Sequence, residues 1–156
     1  MKRMIVLAVL VLAACLIVQV AATGAKDTVE RPLKYSGTTN IIAIHLETGD
    51  TFGVAFGHST GVGDFENIHV GQFDFATGAW VGEGIVTAAN GDQRFWDGYS
   101  DPTTGGTKVT ITGGTGRFEN VSGQMLVSRS SDLQQTVVWP FLIQKYETTG
   151  TGSVAY

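Results

Sequence analysis

From residue 24 onward, glycine interrupts this chain almost everywhere. All 21 glycines lie between Gly24 and Gly152, and all 19 threonines between Thr23 and Thr151. Each glycine inside a helix costs roughly 1 kcal/mol relative to alanine. Beyond the N-terminal segment, no dozen-residue stretch shows a helical apolar period free of a glycine or a β-branched cluster. Short runs of Val, Ile, Thr, Phe and Trp recur instead, bounded by Gly, Asp, Asn and Ser, which is the pattern of strands and turns. The sequence predicts an all-β protein.

About eight strands are expected. Leu33–Thr38 and Asn40–Glu47 come first, then Thr51–Gly57 and a long Val62–Phe75 with Gly71 available for a bulge. The turn Ala76-Thr77-Gly78 leads into Trp80–Ala89, and Asn90-Gly91 is a hairpin signal because both residues tolerate positive φ. Gln93–Tyr99, Thr107–Thr112, Gln124–Ser130 and Gln135–Glu147 follow, with Gly152–Tyr156 as a closing piece. Pro140 asks for a bulge or a local edge. Consecutive hairpins suit a single antiparallel up-and-down barrel, which has no free edge; a two-sheet sandwich is the alternative.

The first 22 residues stand apart from this pattern. Lys2 and Arg3 precede an apolar run from Ile5 to Val20, followed by Ala21 and Ala22, the layout of a secretory signal. Residues 23–32 are polar, mixed in charge and end at Pro32, so they are expected to be a disordered leader before a domain spanning residues 33–156. Cleavage after Ala22 leaves eight basic against 14 acidic residues. That balance disfavours a nucleic-acid footprint or a polybasic membrane patch. It also leaves no cysteine, since Cys15 lies in the signal. The expected destination is export, either periplasmic or secreted. Leu12-Ala13-Ala14-Cys15 also has the small-residue pattern before a lipidated cysteine, which would make the chain a membrane-anchored lipoprotein.

Two glycine-rich segments carry a family resemblance. The stretch from Gly113 through Gly114, Gly116, Phe118 and Val121 to Gly123 resembles the GGTG-x-F-x-x-A-x-G segment of dirigent proteins and allene oxide cyclases. Val121 stands where that family often has alanine. In this segment the glycines permit a tight reversal, Phe118 is expected to turn inward as a plug, and Gly123 restarts a strand. Gly57–Phe65 and Ala88–Asp92 are similar to turns of bacterial exported proteins assigned to the same barrel superfamily. The resemblance implies a calycin-like eight-stranded barrel, trimeric in plants. It implies no particular activity, because the matched segments are turns and plugs. Allene oxide cyclase works on a fatty-acid epoxide through a buried carboxylate, whereas dirigent proteins steer phenol coupling without a redox centre of their own.

Candidate chemistry is sparse. The loops at Gly61-Val62-Gly63 and Gly113–Gly116 lack the following helix and lysine of a phosphate cradle, so turns are the better reading. His45, His58 and His69 have no metal-site spacing, and no metal or cofactor is expected. The serines lack a nucleophile elbow. Glu83, Glu66 and Asp64 are weak catalytic candidates: a glutamate inside a barrel with a raised pKa would serve as acid or base, while on the outer wall it would merely solubilise. In a regular strand, Asp64 and Glu66 share one face and His69 takes the other. Asn120-Val121-Ser122 is a glycosylation sequon, meaningful only in a glycosylating host.

The aromatics offer more. Trp80, Trp96, Trp139, Phe141 and Phe95 are candidates to line a cavity for a small apolar or aromatic ligand, with core packing as the alternative role. Gln135–Glu147 is apolar on both faces, so one face is expected to be covered by a second copy, by the leader or by Gly152–Tyr156. The functional expectation is an exported, non-catalytic ligand- or partner-binding barrel. An allene oxide cyclase-like isomerase and a structural or adhesive surface protein are the alternatives.

Overall fold

Strand alternation decides which side chains enter the interior. In the computed structural model, which describes residues 29–156, that alternation closes on itself. The elements are β1 Glu30–His45, β2 Asp50–Ser59, β3 Gly63–Asp74, β4 Ala79–Ala88, β5 Gln93–Ser100, β6 Thr107–Gly114, β7 Ser122–Arg129, β8 Gln134–Val138 and β9 Phe141–Ala155. Each strand from β1 to β7 lies antiparallel to the next, and β9 returns to pair with β1 from Ala155 opposite Glu30 to Phe141 opposite His45. Eight strands thus form a closed antiparallel barrel, and β8 is an extra strand held on β9 alone. The fold class is the one expected. The expected signal peptide, residues 1–22, and residues 23–28 of the expected leader lie outside the described residues.

Several details differ from the sequence reading. The first two expected strands are one, β1, interrupted by a bulge between Gly37 and Thr39. It begins at Glu30, so Glu30–Pro32 belong to the barrel wall, not to the leader. Gly71 makes no bulge; it pairs in register with Thr51 and Gly82, and its missing side chain leaves room for the Trp80 indole. The Asn90-Gly91 hairpin forms, but only Gly91 takes a positive φ, in a three-residue loop. Gln135–Glu147 is not one strand. Trp139 and Pro140, joined by a cis peptide bond, turn β8 back onto β9, and Leu142 points into the barrel. Gly152–Ala155 cover nothing, because they are wall residues paired with both β1 and β7.

The two ends of the barrel are built differently. At one end the segment after β6 folds in, where a single 3-10 turn, Gly116–Phe118, drives Phe118 into the interior with no exposed surface. Gly116 adopts φ of 56°, and a side chain there would collide with the Asp92 carboxylate. Phe118 packs among Leu33, Val62, Phe65, Ile111, Val121 and Val154 as a stopper at one end, and the same core continues through Tyr35, Val86, Trp96 and Val109 into the wall of the lumen. The guanidinium groups of Arg94 and Arg117 lie 4.9 and 4.7 Å from the Phe118 ring centre, close enough for cation–π attraction. Arg117 also donates to the Val62 carbonyl at 2.9 Å, tying the stopper to the β2–β3 turn. The opposite end, ringed by the β1–β2, β3–β4, β5–β6 and β7–β8 connections, stays open.

The outer wall has two characters. Ile41, Val54, Ile68, Ile85 and Phe95 stand in one register row across β1 to β5. Phe52, Phe56, Val70 and Val81 flank it, all exposed. Across β6, β7 and β9 the outward residues are mostly Lys, Thr, Gln and Ser.

Candidate functional site

Above the stopper the interior is empty. A cavity of about 600 Å³ opens at the unplugged end, within the range of small-molecule sites. Its depth exists because large side chains lie flat against the wall over glycines. A Cβ on Gly84 would come within 2.5 Å of the Trp96 indole, and one on Gly98 within 2.8 Å of Trp96 and 3.0 Å of Trp80. Gly53 likewise leaves the space over which the His69 imidazole lies. Ordinary side chains at these positions would push the rings to the barrel axis and fill the lumen.

One side of the cavity is aromatic. The rings of Trp80 and Trp96 are 6.4 Å apart, with His69 6.2 and 6.0 Å from them. Both indole N–H groups are satisfied by the protein: Trp80 donates to Thr51 Oγ1 at 2.9 Å and Trp96 to Asn67 Oδ1 at 3.0 Å. Neither indole therefore has a donor left over for the lumen. The other side, from β1 and β9, mixes the aliphatic Ile42, Ile44 and Leu142 with uncharged polar groups. Asn40 Nδ2 donates to Thr148 Oγ1 at 2.9 Å, and Thr148 in turn bonds the Tyr35 phenol. Burial raises the pKa of both Tyr35 and Tyr146, keeping the phenols neutral. Burial also lowers His69 to about 4, so its imidazole is neutral near pH 7. Charge is confined to the rim, where Arg129 is exposed and Asp101 is held at about 2 by hydrogen bonds from Thr103 and Tyr99.

Of the residues singled out from sequence, Trp80 and Trp96 line the cavity. Phe95 does not, because it falls between Arg94 and Trp96, which alternation sends inward. Trp139 sits at the β8–β9 turn with 71% of its surface exposed, and Phe141 faces outward against His45. The three carboxylates all stand on the outer wall. Glu83 is opposite Val70 and Asp97, Glu66 is opposite Phe56 and Thr87, and Asp64 pairs with His58 at 2.9 Å. Asp101, at the rim, is the one carboxylate among the described residues that lines the cavity. Among the described residues, no three potential metal ligands come together.

Sequence reasoning passed over Asn40, Asn67, Tyr35 and Tyr146, though it set His69 on the face opposite Asp64 and Glu66, where the structure has it. The available signal was parity: Phe65, Asn67, His69 and Phe73 alternate with Glu66, Ile68 and Val70, which places two polar side chains on a buried face. No protein-family model matches the chain, and no curated protein matches it.

Proposed function

We propose that this chain is an exported, non-catalytic barrel that binds a small apolar or aromatic molecule in its lumen. The observation that carries this reading is the open cavity of about 600 Å³ walled by Trp80 and Trp96, whose charged lining groups, Arg129 and Asp101, stand at its rim. A barrel serving only as scaffold or adhesin has no need of a hollow interior, since small barrels ordinarily fill theirs with side chains. An allene oxide cyclase-like reaction would use a carboxylate inside the lumen, whereas Glu83, Glu66 and Asp64 face outward. The resemblance of Gly57–Phe65 and Gly113–Gly123 to the allene oxide cyclase and dirigent superfamily is in keeping with a ligand-sized barrel, by analogy alone. Native mass spectrometry of protein purified from its host tests the reading. A co-purified small molecule supports it. An empty barrel that also takes up no flat aromatic probe at high micromolar concentration overturns it.

A second reading concerns partners. The row Ile41, Val54, Ile68, Ile85 and Phe95 is an outward apolar stripe, exposed at Ile41, Ile68 and Ile85 and half-buried at Val54 and Phe95. Such stripes mark contact surfaces. A flat row of aliphatic groups is complementary to itself, which suits a homo-oligomer in which the stripes of two copies meet.

A further inference from the structure

The inner wall holds one polar group whose role the fold does not use. Trp96 Nε1 is a donor only, so the Asn67 atom that receives it, at 3.0 Å, is the carbonyl oxygen Oδ1. This fixes the amide and turns Asn67 Nδ2, a donor, toward Nδ1 of His69 at 3.5 Å. Two donors cannot face each other, so Nδ1 carries no proton and the neutral ring holds its hydrogen on Nε2. Nε2 has no hydrogen-bond partner among the described residues. His69 lines the cavity, and its Nε2 lies in the space that an inward Cβ on Gly53 would take.

We propose that the Nε2–H of His69 is the polar contact that selects the ligand, and that the ligand is a flat, uncharged aromatic molecule bearing a carbonyl or similar acceptor oxygen. This rests on the ligand-binding reading above and narrows it. Trp80 and Trp96 flank the imidazole and line the cavity beside it, an aromatic wall suited to a planar body. A ligand with no acceptor would enclose the N–H without a partner. A charged ligand would find no countercharge beside the imidazole, since the groups seen against the ring, Asn67, Trp80, Trp96 and Gly53, are all uncharged. Gly53 sets the position of the donor, because the imidazole lies in the space a side chain there would take.

The test compares two probes of the same shape, 2-acetylnaphthalene and 2-isopropenylnaphthalene, which differ by C=O against C=CH2. Equilibrium dialysis against the purified protein is expected to give about tenfold tighter binding of the ketone, the usual worth of one buried hydrogen bond. His69→Phe is expected to bind both probes equally, with affinity for the alkene retained. Equal binding of the two probes to the unmodified protein, or a ketone preference that survives His69→Phe, overturns the proposal and leaves the ligand-binding reading standing. Failure of both probes to bind removes that reading as well. Should His69→Phe not fold, 15N spectra of the unmodified protein decide. Nδ1 is expected to appear unprotonated, with the Nε2 proton shifted by the ketone and not by the alkene. A proton on Nδ1, or equal shifts from both probes, overturns the assignment.

Discussion

Gly53 on β2 and His69 on β3 face each other in register, and the imidazole occupies the space that a Cβ on Gly53 would take. Gly53→Ala is therefore expected to swing the ring into the lumen at a cost of about 1–3 kcal/mol, the range for overpacking. Combining it with His69→Ala should relieve most of that strain, so the two substitutions are expected to be strongly non-additive. Urea unfolding of the two single variants and the double variant measures this, and additive losses would show that the ring and the glycine do not share the space.

Acid should weaken the fold through the same histidine. Burial holds His69 at about 4 against an ordinary 6.5. Below 6.5 the unfolded chain takes up a proton that the folded chain refuses until about 4, so stability from this group is full above 6.5 and is lost as pH falls through that window. The loss amounts to roughly 3 kcal/mol by linkage. His69→Gln should flatten the difference between unfolding curves at pH 7 and pH 4.5 relative to the unmodified protein. An unchanged difference would assign the acid sensitivity to other groups.

The stopper should be the most sensitive site in the core. Phe118 has no exposed surface and carries two guanidinium groups on its ring. Phe118→Ala is expected to cost about 3–5 kcal/mol by leaving a cavity. It also strands Arg94, whose Nε and Nη2 already lack partners. A lowered denaturation midpoint with retained β-rich circular dichroism is the expected result. A loss under 1 kcal/mol would mean that the barrel end closes without it.

Association through the outer stripe predicts a concentration-dependent mass. Ile68 lies at the middle of the row and is 45% exposed. Ile68→Glu is expected to yield monomer in sedimentation velocity while leaving the circular dichroism intact. A monomeric unmodified protein at about 100 µM, far above the dissociation constant of a stable contact, would rule out this role for the stripe.

Fold class was legible because it depends on local chemistry. Glycine placement and β-branched runs report strands directly, and the order Gly113, Gly116, Phe118 announces a reversal with an inward ring. The cavity was legible only in part. Trp80 and Trp96 can be proposed as lining residues from their type, but whether an interior is filled depends on what lies opposite. Gly53 against His69 and Gly84 against Trp96 are pairings set by register between strands. The error at Gln135–Glu147 has the same origin. Two short strands folded on each other read, residue by residue, like one long strand with apolar groups on both faces.

β9 gives the barrel a particular history. It holds β1 along its full length, β7 with its second half and β8 with its first, so the seam joins the two ends of the described chain. Nothing shorter can be sealed: a chain arrested after β7 would carry open edges on β1 and β7 and have no smaller closed form to settle into. Folding must wait for the most distant contact and is slow for its size, as topologies ruled by non-local pairing are. The time each molecule spends unsealed, more than the depth of its native well, then governs how many are lost to edge-to-edge aggregation before the barrel shuts.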